Sequence, residues 1–203
     1  MSAQIYLIAP EAAELATFAP LLTETLAAAE VAALYVPRGN HAENAYKTLI
    51  KALAPIAQAQ NCAVLIEGEP GWVKTLGADG LHLLGSGKVI ASAKAAASAL
   101  KPRSIVGAGP VASRHDAMTL GELDLDYILF GPMTGALSAE ARDMAIWWSE
   151  TMEVPAVLSD PEATPENVNS SGCEFIAFGE SVWKAPQGPA MALAALARSL
   201  ETT

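Results

Sequence analysis

Eight short, nearly continuous apolar runs recur along the chain: "IYLIAP" (5–10), "VAALYVP" (31–37), "CAVLIEG" (62–68), "GLHLLG" (80–85), "SIVGAG" (104–109), "YILFGPM" (127–133), "VPAVLSD" (154–160) and "FIAFGES" (175–181). A strand with one wet face alternates polar and apolar residues. A strand buried on both faces does not, and such strands belong to parallel sheets covered by helices. The longer, alanine-rich stretches between the runs supply those helices. In "HAENAYKTLIKALAPIAQAQ" (41–60), Ala45, Leu49, Leu53 and Ile56 fall on one helical face. "VIASAKAAASALK" (89–101) and "GPAMALAALARSL" (188–200) are strong helix formers. "SAEARDMAIWWSETM" (138–152) opens on Ser138 as a cap, with acids in its first turns. "TPENVNSSG" (164–172) starts Thr164, Pro165, Glu166, a helix-start pattern, and stops at Gly172. Pro20 starts or kinks the first helix, and "EPGWVKTLG" (69–77) leaves room for only a short third one. Eight such alternations predict a (β/α)8 TIM barrel of the α/β class, with residues 1–203 forming one domain. An open doubly wound sheet is the rival architecture.

Charge narrows the function. The formal net charge is −10, from 22 acids against 12 bases, and no basic run occurs. Nucleic acid is therefore not an expected partner, because phosphate neutralisation needs clustered Lys and Arg. The N-terminus lacks a charged leader and no apolar run approaches a membrane span, so a soluble, cytoplasmic protein with no membrane partner is expected. Cys62 and Cys173 stand far apart without a CxxC pair and read as two small buried residues. Trp147 and Trp148 are adjacent in one helix, where core packing is the expected role and a subunit contact the rival.

In a barrel of this kind chemistry sits at the carboxyl ends of the strands. The candidate ligand-binding residues there are Arg38, Glu67, Glu69, His82, Thr134, Ser159, Glu180 and Ser181. Glu67 and Glu69 are two apart, so both are expected to face one space. Gly179-Glu180-Ser181 could form a backbone nest for a phosphate, but Asp160 and Glu180 would repel that anion unless a metal or an arginine intervenes. His82 lies within a strand, where a core role outweighs a catalytic one. No Ser, His and Asp set and no Cys and His pair falls on neighbouring strand ends, so no catalytic residue is assigned.

Three stretches together resemble the thiamine phosphate synthase and thiazole tautomerase superfamily: "LGADGLHLLGSG" (76–87), "SIVGAG…LDYILFGPM" (104–133) and "VPAVLSDPEATPENVNSSGCEFIAFGESV" (154–182). The resemblance spans nearly the whole chain and implies the same eight-stranded barrel. It also implies a place in thiamine biosynthesis. The synthase, a transferase, joins a thiazole phosphate to an aminopyrimidine pyrophosphate with magnesium, and the tautomerase isomerises a thiazole carboxylate phosphate without metal. Family members are often dimers, so a homodimer is the partner the resemblance implies.

The functional positions diverge. The magnesium aspartate after the third strand corresponds to Gly68, between Glu67 and Glu69, and the second magnesium carboxylate corresponds to Gly87, beside Ser86. The arginine after the second strand is kept as Arg38, but the lysine that follows it is not. The loop "MTGALSAEA" (133–141) lacks the family's lysine, and the tautomerase histidine corresponds to Pro132. The phosphate-binding glycine pair becomes Ser159-Asp160, and the serine of the last strand becomes Glu180. No bound metal or other cofactor is therefore expected, although magnesium serves the family. Synthase activity is expected to be weak or lost, as in a pseudoenzyme, with a small, cationic heterocycle as the ligand near the strand ends. The alternatives are a non-catalytic ligand-binding or regulatory protein, and a barrel enzyme acting on an unphosphorylated heterocycle with Glu67 or His82 as general base.

Overall fold

The computed structural model of the protein describes residues 3–85 and 89–201; Ser86 and Gly87, named above, lie outside them. All eight apolar runs are strands: β1 (Gln4–Ile8), β2 (Ala33–Val36), β3 (Ala63–Ile66), β4 (Gly80–Leu84), β5 (Ile105–Gly109), β6 (Tyr127–Phe130), β7 (Ala156–Ser159) and β8 (Phe175–Phe178). They pair in parallel in sequence order, and β1 closes on β8, so the sheet is a barrel and the doubly wound alternative is excluded. The register sets Tyr6 opposite Ala33 and Tyr35 opposite Leu65.

Two apolar layers result. Tyr6, Ile8, Tyr35, Leu65, Tyr127, Leu129 and Val157 fill the barrel interior. The alternate strand residues, among them Leu7, Leu34, Val64 and Ile128, pack outward against the helices. Burial on both faces is why the strand sequences do not alternate.

The helices are α1 (Leu15–Leu26), α2 (Glu43–Gln58), α3 (Pro70–Leu76), α4 (Val89–Leu100), α5 (Arg114–Gly121), α6 (Ala139–Thr151), α7 (Glu180–Trp183) and α8 (Pro189–Glu201). Ser138 caps α6 as its sequence suggests, accepting from the Ala141 N–H at 3.2 Å. Pro20 sits inside α1. Trp148 is buried beside Phe130 and donates from Nε1 to the Val154 carbonyl at 2.7 Å, while Trp147 lies partly buried under Arg114. Cys62 and Cys173 are free and buried, and burial pushes both thiols up to about 12.

Two assignments change. Residues 164–172 form turns, not a helix. Asn167 Oδ1 takes the Thr164 N–H in a cap-like bond, and Asn169 Oδ1 takes the Ser171 N–H, each at 2.7 Å; the second removes an amide from the helical ladder. Residues 180 and 181 belong to the short helix α7 rather than to the last strand. Helix α5 has a legible signal that periodicity alone passes over: Ser113 accepts from the Asp116 N–H at 3.1 Å, a serine cap with an acid three residues on.

Three acids within the family-like stretches serve the floor of the barrel. Asp79 precedes β4 and accepts the Val64 N–H of β3 at 2.7 Å. Asp126 precedes β6 and accepts the Val106 N–H of β5 at 2.7 Å, and Glu174 precedes β8 and accepts the Ala156 N–H of β7 at 2.8 Å. Each acid ties the start of the preceding strand to its neighbour. The aspartates of "GADG" and "LDY" therefore act in closing the sheet, at the end of the barrel opposite the strand-end mouth. Among the described residues no helix is long and apolar enough to cross a membrane.

Candidate functional site

A cleft of about 700 Å³ opens at the carboxyl ends of the strands. Ile8, Pro10, Leu84, Met133 and Trp183 supply apolar wall. Tyr35, Glu67 and Thr134 supply polar groups, with Glu11, Glu180 and Lys184 around them. Trp183 is fixed there, because its Nε1 donates to the Ile8 carbonyl at 2.6 Å and its ring meets Phe18 edge-on at 5.0 Å.

Glu67 is the best-held polar group of the cleft. Its Oε1 accepts from the Tyr35 hydroxyl and from the Arg38 backbone N–H, the latter at 3.0 Å. Its own N–H donates to the Tyr46 hydroxyl at 2.9 Å, and Tyr46 donates onward to the Val36 carbonyl at 2.6 Å. Helix α2 thus fixes the loop after β3, and β2 fixes the carboxylate. Burial, and then the neighbouring Glu67 carboxylate, raise the Tyr35 pKa far above its ordinary value, so Tyr35 stays a donor.

A second network lies deeper. The Tyr6 and Tyr127 hydroxyls are 3.1 Å apart, and the Tyr127 hydroxyl is 2.7 Å from His82 Nδ1. His82 is 1 % exposed, and its Nε2 has no hydrogen-bond partner among the described residues. Burial pushes its pKa down to about 4, with the Gly109 backbone opposing, so the ring is neutral at neutral pH. The two networks meet through the Tyr35 and His82 rings, whose centroids are 4.8 Å apart. Among the described residues no hydrogen-bonded path runs from His82 to Glu67.

The structure brings Glu67, Thr134 and Glu180 into one cleft. It does not bring in the other five candidates. Arg38 contributes its backbone to Glu67, and its guanidinium lies 5.9 Å from the Trp72 ring centre. Glu69 is exposed and starts α3, because Pro70 turns the chain into a helix one residue after it. The expectation that Glu67 and Glu69 face one space fails for that reason. His82 is enclosed in the barrel, and Ser159 is buried with its hydroxyl donating to the Pro132 carbonyl at 2.5 Å. Ser181 lines a separate cavity of about 390 Å³ beside Thr164 and Gln187, with its hydroxyl oxygen buried and unpartnered. Tyr35, Trp183, Glu11 and Lys184 are cleft residues that the sequence did not single out.

The two acids expected to repel an anion both have cationic partners. Asp160 pairs with Arg142 Nη2 at 3.1 Å, and Arg142 also holds the Ser171 hydroxyl at 2.8 Å. Burial raises the Asp160 pKa and Arg142 opposes that rise. Glu180 pairs with Lys184 and accepts the Gly135 N–H at 3.1 Å, and these two bonds hold its carboxyl below the usual range. The nest is partly closed as well: the Ser181 N–H donates to the Pro161 carbonyl at 2.7 Å.

Magnesium needs oxygen ligands, typically one or two carboxylates with waters and substrate phosphates. Gly68, at the position of the family's aspartate, does not fit a carboxylate. Gly68 has φ +124, and a Cβ there would lie 2.4 Å from the Trp72 ring, so both the backbone and the indole exclude an aspartate at that point. Among the described residues no group of three or more His, Cys, Asp or Glu comes together to hold a metal.

A closed parallel barrel with a polar cleft at its strand ends is the architecture of a TIM-barrel protein. The family described as thiamine monophosphate synthase matches residues 5–181. The thiamine-phosphate synthase of Rhodospirillum centenum is 32 % identical over 199 residues, 94 % of this chain and 94 % of that protein. That of Hyphomonas neptunium is 33 % identical over 207 residues, covering 95 % and 91 %. This chain belongs to the thiamine monophosphate synthase family. The solved thiamine phosphate pyrophosphorylase from Pyrococcus furiosus superposes with a TM-score of 0.79 over 98 % of this chain and 96 % of that one, at 19 % identity, which supports the fold.

Proposed function

We propose that the protein is a divergent member of its family that binds a small, cationic heterocycle at the strand-end cleft. In this reading it couples a thiazole phosphate to an aminopyrimidine pyrophosphate weakly or not at all. The observation that carries this is Gly68, where a left-handed backbone and the Trp72 ring leave no room for a carboxylate. The cleft's charges agree: Glu11, Glu67 and Glu180 face it against Lys184, and Lys184 is tied to Glu180. Pyrophosphate departure is assisted by metal and cation electrostatics, and losing even one such donor costs about 3 kcal/mol, or a factor of about 100. In side-by-side assays with magnesium and both substrates, the protein should form product at least about 100-fold more slowly than its Rhodospirillum centenum relative. A rate within tenfold of that relative's would defeat the proposal. A second reading, a barrel enzyme using Glu67 as general base on an unphosphorylated ring, is favoured by the one Glu67 oxygen that faces no donor among the described residues.

A further inference from the structure

The Glu67 carboxylate is used on one side only. A carboxylate offers about four acceptor positions over two oxygens. Both donors that reach Glu67, the Tyr35 hydroxyl and the Arg38 N–H, arrive at Oε1. Oε2 has no protein partner among the described residues, and Glu67 lines the cleft. Three fixed contacts prevent the group from turning its free oxygen elsewhere: Tyr35 and the Arg38 amide hold the head, and Tyr46 holds the main chain. Glu180 differs, because both of its oxygens are engaged, one by Lys184 and one by the Gly135 N–H. Among the described residues the cleft lining therefore contains one preset acceptor and an immobilised indole, Trp183. Such a pairing suits a flat cation whose N–H groups donate to oxygen while its ring covers apolar wall.

We propose that Glu67 Oε2 is the anchor of the cleft for a planar amidinium-type cation, and that Tyr35 is the positioning residue that aims it. This rests on the reading of the cleft as a site for a cationic ring, and it adds the atom and the ligand group. A donor to a carboxylate is worth more than a neutral bond, and removing the charge from one partner typically weakens binding by about 10- to 100-fold. A ligand without N–H donors leaves Oε2 desolvated and unpaired, so the site discriminates against neutral isosteres and more strongly against anions.

Benzamidine is a suitable probe, with benzamide and benzoate as its neutral and anionic counterparts, in calorimetric titrations of the full chain. Saturable benzamidine binding is expected, at least about tenfold tighter than benzamide, with no benzoate binding. Glu67→Gln should erase the preference for benzamidine over benzamide. Tyr35→Phe should reduce that preference severalfold while leaving a folded protein by thermal denaturation. Glu69→Gln should change benzamidine affinity less than about threefold, because Glu69 is exposed at the start of α3 and does not line the cleft. If Glu67→Gln does not fold, Glu67→Asp draws the oxygen back while keeping the charge, and it should weaken benzamidine by about tenfold. Absence of benzamidine binding to the unsubstituted protein overturns the inference. So does an undiminished preference in Glu67→Gln or, if it does not fold, an undiminished benzamidine affinity in Glu67→Asp, or an equal loss in Glu69→Gln. Brisk magnesium-dependent coupling would defeat the proposed function but would not touch these titrations, which involve no turnover.

Discussion

Gly107→Ala is expected to lower the unfolding free energy by about 3 kcal/mol or more, although alanine is the better strand residue by about 0.5–1 kcal/mol. A Cβ at position 107 would lie 2.0 Å from Tyr127 Cζ and 2.1 Å from Cε1, so the ring must leave its place. It cannot move cheaply. Tyr127 is buried between Tyr6 and His82, with ring centroids 5.8 and 5.7 Å away, and its hydroxyl bonds to both. Displacement breaks two buried hydrogen bonds and opens voids, at roughly 1–3 kcal/mol for each group left unsatisfied. Urea denaturation would measure the loss. A double-mutant cycle with Tyr127→Leu tests the cause, since adding the methyl should cost little once the ring is gone. A loss below about 1 kcal/mol, or full additivity in the cycle, would show that the interior is looser than described.

The buried histidine gives the second large effect. His82 has its pKa lowered from 6.5 to about 4, mainly by burial. Above the unfolded value both states hold a neutral ring, and its stabilising contribution is complete. As pH falls below 6.5 the unfolded chain takes up a proton that the folded one refuses, so that contribution drains away until the folded value is passed. By about pH 4 the loss amounts to about 3 kcal/mol. The groups against the ring, Tyr35 and Tyr127, are both held protonated by burial and do not titrate in that window. Stability at pH 7 and about pH 4.5, compared between the protein and His82→Phe, should show a steeper fall in the protein by about 2–3 kcal/mol. Parallel falls would mean that His82 is protonated in the folded state and that the Tyr6–Tyr127–His82 chain is arranged differently.

The barrel was legible because its strands are buried on both faces. Continuous runs such as "YILF" and "AVLS" carry that signal in local sequence, and only their ends shift, where apolar loop residues such as Pro37 and Met133 extend the pattern. The error at residues 164–172 has a local cause, since Asn169 takes the Ser171 amide that a continuing helix would bond four residues back. The site was less legible. Glu67 meets Tyr35 because β2 and β3 pair with Tyr35 beside Leu65, a register that neither strand states alone. The Arg142–Asp160 pair likewise joins α6 to the end of β7 and neutralises an acid that the linear sequence presents as bare. Glu180 and Lys184 are four apart, a helical spacing, but it becomes visible only once 180–183 is recognised as α7 rather than strand.

Among the described residues, the strand-end cleft offers carboxylates and one engaged lysine where pyrophosphate chemistry needs cations and a metal. Calorimetric titration of the protein with inorganic pyrophosphate, with and without magnesium, tests it most directly. The prediction is no saturable binding up to about millimolar concentrations and no effect of the metal. Binding on the order of micromolar or tighter that requires magnesium would contradict the claim.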